Sequence, residues 1–105
     1  GLHAFSYTIT ITNTGSAPAQ LIARHWVIHD ARGPQEEVRG LGVVGQQPLL
    51  RPGEHFQYTS GCRLRSETGS MEGSYRFVTE AGEPFDVPIA RFVLDAGQHG
   101  TRVLH

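Results

Sequence analysis

Arg39-Gly40-Leu41-Gly42-Val43-Val44-Gly45, followed by Gln46-Gln47-Pro48, is the stretch on which the fold turns. Three glycines spaced G-x-G-x-x-G form a dinucleotide cradle only where they leave a strand and open a helix, whose free N–H groups and positive dipole end then face the pyrophosphate. No helix pattern follows. Pro48 comes three residues after the last glycine, Arg51-Pro52-Gly53 marks a turn, and the residues between show no apolar 3.6 period. The glycines therefore belong to a loop in an all-β chain.

Working outward, Phe5, Tyr7, Ile9 and Ile11 alternate with Ser6, Thr8 and Thr10, the period of a strand with one wet face. Gln20 to Asp30 carries apolar residues on both faces, with Leu21, Ala23 and Val27 on one side and Ile22, Trp26 and Ile28 on the other, and is expected to be a central strand. A short strand through Glu36-Glu37-Val38 leads into the glycine loop, and Leu49-Leu50 precedes the next turn. Phe56, Tyr58 and Leu64 mark a further extended segment. Met71, Gly73, Tyr75 and Phe77 form a second clean alternation. A hairpin at Ala81-Gly82-Glu83-Pro84 then returns through Phe85, Val87, Ile89, Phe92 and Leu94, with Pro88 predicting an edge position or a bulge. About seven short antiparallel strands with frequent turns predict an immunoglobulin or fibronectin III-like β-sandwich. It is expected to occupy residues 1–95, with a polar, loosely held tail over 96–105.

The chain has 105 residues, enough for one domain with a single core. A net charge of -1 argues against a nucleic-acid partner, and all nine basic residues are arginine. The single cysteine, Cys62, excludes an intramolecular disulfide and a Cys-rich zinc site. No apolar run of about 20 residues predicts membrane insertion and no leader pattern is evident, so a cytoplasmic address is expected. The chain opens on Gly1 rather than methionine, and a preceding segment is expected.

Tyr7-Thr8-Ile9-Thr10-Ile11-Thr12-Asn13, Gln20-Leu21 with Arg24-His25-Trp26, and Val38 through Gly45 together resemble the ApaG family. So do Pro52-Gly53-Glu54 through Phe56, Tyr58-Thr59-Ser60-Gly61 and Gly69-Ser70-Met71-Glu72-Gly73. The resemblance runs from about Phe5 to Leu94. It implies a fibronectin III-like sandwich, one further strand at the N-terminal end, and an association with cobalt resistance and magnesium efflux in bacteria. It also implies a protein-interaction role, as for the related domains of certain F-box proteins and of a DNA polymerase delta-interacting protein. The glycine loop is discussed in that family as a pyrophosphate or nucleotide site. No catalytic residues come with the family.

Two site readings follow. Arg39, Gly40, Gly42 and Gly45 are candidates for an anion or nucleotide nest, with Arg24 and Arg51 as further clamps, against the alternative that the glycines supply only backbone geometry. Arg24 and Trp26 are candidates for a partner surface, against a core position for the indole. His25 and His29 invite a metal reading, but four residues of strand separate them by roughly 13 Å, too far to share one ion. Structural histidines are expected, with no metal or other cofactor. Ser60 and Cys62 lack the context of a nucleophile, and the Glu36–Glu37 and Glu80–Glu83 pairs sit at hairpin ends. The expectation is a module without catalysis that binds a protein partner, or a second copy of itself, at a sheet edge or through its loops. The alternatives are a pyrophosphate or nucleotide sensor and a divalent-metal binder.

Overall fold

A computed structural model of the chain describes residues 2–95 and 99–104, the last of these and Asp95 as backbone. Eight strands run in order: β1 (His3–Thr12), β2 (Ala19–Asp30), β3 (Glu36–Leu41), β4 (Leu49–Leu50), β5 (His55–Leu64), β6 (Thr68–Thr79), β7 (Pro84–Asp95) and β8 (His99–Leu104). One sheet has the order β5-β1-β8. The other has the order β3-β2-β6-β7, with the short β4 also paired to β2. The alternating residues of β1 and β6 face inward as their period requires, and the two inner faces close the sandwich over one core.

At the centre of that core is Trp26. Its indole meets Tyr7, Tyr75 and Phe92 edge-on, with ring centroids 5.8, 6.1 and 5.9 Å away. Tilted contacts of this kind align ring edges with π faces and add to the area buried. Trp26 is 3% exposed, so the indole is not available to a partner, contrary to the surface reading of that residue. The reason is that Trp26 stands on the face of β2 turned toward the other sheet, where Tyr7 packs against it.

The segment expected to be apolar on both faces in fact has one core face, because β2 contains a β-bulge. Leu21 pairs with Phe77 and Ala23 with Arg76, so Ile22 is the extra residue. The bulge shifts the phase. Leu21 faces the core before it, and Trp26 and Ile28 face the core after it, while Val27 joins His25 and His29 outside. A second bulge in β7 lets Ile89 and Phe92 both point inward despite their odd spacing. Pro88 lies on β7, which ends its sheet, as a residue with no N–H to donate should.

Two boundaries differ from the sequence reading. Strand β3 continues past Val38 to Leu41, taking Arg39 and Gly40 into the ladder opposite His25 and Arg24. Within the expected tail, the described backbone of His99–Leu104 is a strand that pairs parallel to β1. Its Val103 and Leu104 follow the polar residues that hide the strand pattern.

Candidate functional site

The glycine segment is a miniature hairpin set between two strands of the sheet edge. Val43 and Gln46 exchange backbone hydrogen bonds, both 2.9 Å, across the two-residue turn Val44-Gly45. Both central residues have positive φ, 44° and 77°, the primed class of turn that suits strand twist. Gly45 supplies that conformation freely, whereas Val44 is a β-branched residue in a region such residues avoid. Gly42 is required twice: its φ is 65°, and a Cβ there would overlap the Gln46 carbonyl oxygen.

The β2 bulge anchors the hairpin. The Ile22 carbonyl accepts the Gly42 N–H at 2.7 Å and the Gln47 amide at 2.9 Å, while Leu21 N–H reaches Pro48 and the Gln20 amide reaches Gln47. The N–H groups of Gly42, Val43 and Gln46 are thus engaged within the protein. A nest would need them turned together toward a ligand.

The sheet places the candidate arginines on opposite sides. Arg24 lies on the inner side of β2, and its guanidinium passes across Gly40, where a Cβ would come within 2.8 Å of Nη2. Gly40 is therefore needed for passage, not for an unusual φ. Beyond it, Arg24 Nη1 donates to the carbonyls of Leu41 and Gly42, at 2.9 and 3.0 Å. Arg39 lies on the outer face, beside an open cleft of about 470 Å³ that Arg24, His25, Gly40, Leu41, Arg76 and Asp86 also line. Arg51 is at the Pro52-Gly53 turn, its backbone N–H held by the Glu54 carboxylate.

The histidines take separate partners. His29 Nε2 is 2.8 Å from Glu72 Oε1, which also accepts a 2.8 Å bond from Arg91 Nη2. These donors, Arg91 foremost and then His29, hold the Glu72 carboxyl below its ordinary range. His25 Nε2 is enclosed and lies 3.5 Å from Glu37 Oε1 without a hydrogen bond. Among the described residues, no three His, Cys, Asp or Glu side chains converge to hold an ion. Cys62 is half-buried on β5, and desolvation, with Glu36 adding, pushes its thiol up to about 11. Burial raises the Tyr7 phenol above its ordinary range, with Ser60 opposing.

The family model described as "ApaG domain" matches residues 1–79 of this chain. The chain belongs to the ApaG family. Protein ApaG of Acidovorax sp. (strain JS42) is 65% identical over 112 residues, covering all of this chain and 82% of its own length. Protein ApaG of Bordetella pertussis is 62% identical over 92 residues, 88% of this chain and 70% of its own. Neither name specifies an activity. A crystal structure of an ApaA protein from Bordetella pertussis superposes with a TM-score of 0.79 at 46% identity, covering 93% of this chain and 95% of that one. A second X-ray structure, from a structural-genomics programme, gives 0.88 at 47% identity, covering 91% and 73%. An ApaG fold thus carries the hairpin, the brace by Arg24 and the exposed edge beside them. No helix among the described residues is long and apolar enough to cross a membrane.

What the sequence reading missed is the apolar character of this edge. Leu41, Val44 and Leu49 are 74%, 51% and 51% exposed, all within nine residues. They were unremarkable in sequence because their outward orientation depends on register, which the bulge sets.

Proposed function

We propose that the chain is a binding module without catalysis, and that a protein partner docks on the edge formed by β3, the glycine hairpin and β4. The observation that carries this reading is the exposure of Leu41, Val44 and Leu49 beside β3, a strand that among the described residues has a neighbour on one side only. An open edge offers unpaired N–H and C=O groups, and exposed apolar side chains beside it give a partner area to bury. The opposite edge is less suited. There β7 carries Pro84, Pro88 and a bulge, devices that blunt strand addition.

On this reading the cobalt and magnesium association that the ApaG resemblance implies runs through the partner. The test is capture of partners from an extract of the native cell by the purified protein. Leu41→Asp with Leu49→Asp should abolish capture while leaving the melting temperature nearly unchanged, and Val93→Asp on β7 should leave capture intact. Equal capture by the doubly substituted protein would refute the edge. Sedimentation of the protein alone tells whether a second copy is the occupant.

A further inference from the structure

At the end of the sandwich where β1 gives way to β2 and β6 turns into β7, the chain surrounds an open apolar pocket of about 310 Å³. Ile11, Leu50, Phe77, Phe85 and Val87 form its walls, and the β1–β2 loop from Asn13 to Pro18 forms its lip. The exposed side chains of the docking edge, Leu41, Val44 and Leu49, take no part in it.

The lip is tied in place. Asn13 Nδ2 donates to the carbonyls of Ala17 and Leu50, both at 2.9 Å, and Asn13 Oδ1 accepts the Gly15 N–H at 2.9 Å. The Asn13 backbone is held as well, its N–H by the Glu54 carbonyl and its carbonyl by the Gly53 N–H. A loop fixed at all of these groups stands off Phe77 and Phe85 instead of collapsing on them, so a ligand meets a pre-formed site.

Its chemistry defines what fits. Among the described residues no ionisable side chain lines the pocket, so a charged group would lose hydration there without a partner, and the ligand is neutral. Phe77 and Phe85 lie nearly parallel, at 17° with centroids 5.6 Å apart, and Phe85 is 41% exposed, so its ring offers surface to a further flat π system. An apolar cavity of about 150 Å³ holds one benzene ring, and the larger space here suits two fused rings. Hydroxyls of Thr12, Thr14, Ser16 and Thr79 also line it, and Thr79 Oγ1, which accepts the Glu83 N–H, keeps a proton to donate. They provide a partner for one polar atom.

We infer that this pocket binds a neutral, flat aromatic molecule of two fused rings, which lies against Phe85 with one polar atom toward the hydroxyls. The site is separate from partner docking at the β3–hairpin–β4 edge and does not depend on it.

The experiment is a two-dimensional amide NMR titration with indole, with cyclohexanol as the reference that carries a polar atom but no π face. Indole should give saturable shifts at Thr14 to Ala17, Thr79 and Phe85, and should bind more tightly than cyclohexanol. Phe85→Leu keeps the wall apolar but removes the aromatic surface; it should weaken indole about fivefold, as loss of a ring contact does, and leave cyclohexanol nearly unchanged. Val87→Phe, which fills the pocket, should abolish the indole shifts, and a thermal melt of each variant establishes that it is folded. Absence of saturation up to the solubility limit of indole, equal affinity for cyclohexanol, or unchanged indole affinity in Phe85→Leu overturns the inference.

Discussion

Replacing Val44 by asparagine should stabilise the protein by about 1 kcal/mol, which is unusual for a change that removes an apolar side chain. Val44 has φ of 44° in the hairpin turn. Holding a non-glycine residue there costs on the order of 1–3 kcal/mol, and β-branching makes valine one of the worst choices. Asn-Gly is the preferred pair for a primed two-residue turn, so Val44→Asn should recover about 2 kcal/mol of strain. Against that stands lost burial. Val44 is 51% exposed, so about half of the roughly 1.5–3 kcal/mol for a fully buried aliphatic side chain is forfeited, or about 1 kcal/mol. The difference is about 1 kcal/mol in favour of asparagine, near 4 °C in melting temperature for a domain of about 100 residues. Urea unfolding followed by the fluorescence of Trp26, with a thermal melt beside it, measures it. A lower midpoint, or none of the expected rise, would refute the argument that the turn is strained. A stabilised variant that captures partner less well would tie the retention of Val44 to docking.

Three further outcomes are expected. Gly42→Ala should destabilise more than Gly45→Ala, because both demand positive φ but only the first drives a Cβ into the Gln46 carbonyl; paired urea midpoints check the order. Asp30 accepts hydrogen bonds from the backbone N–H groups of Arg32 and Arg65 and from the Ser66 hydroxyl, chiefly the first of these, which lower its carboxyl to about 2. Its folded pKa is depressed, so the stability it contributes is present above the ordinary carboxylate value of about 3.9 and is lost as pH falls toward 2; Asp30→Asn should flatten that acid limb in pH-dependent melts. The Cys62 thiol, pushed up to about 11 mainly by desolvation, should react with a thiol reagent at pH 8 far more slowly in the native protein than in urea, and equal rates would contradict its placement on β5.

The sandwich was legible because its signals are local: period-2 alternation in β1 and β6, and Gly- or Pro-containing turns where strands end. The absence of a helix after Gly45 was legible for the same reason, since Pro48 and the missing 3.6 period are sequence facts. The bulge at Ile22 was not. A bulge adds one residue whose only signature is a phase change between Leu21 and Trp26, and an apolar run hides such a change. From it follow the inward course of Arg24, the outward face of His25 and His29, and the anchoring of the hairpin on the Ile22 carbonyl. Sequence reasoning therefore grouped Arg24 with Arg39, which do share a cleft lining although Arg24 is engaged in bracing the hairpin, and assigned Trp26 two roles of which the core leaves one. Glu72 and Arg91 escaped notice because their meeting with His29 needs three strands in register, including the displaced residue of β7.

Docking on the β3–hairpin–β4 edge is tested most directly by placing a photo-crosslinking amino acid, in living cells, at Leu41, Val44 and Leu49 in turn, and at Phe85 and Val93 on β7. A discrete covalent adduct of one protein is expected from the first three positions, and none of that species from the last two. Adducts confined to Phe85 and Val93, or none from any of the five, would contradict it.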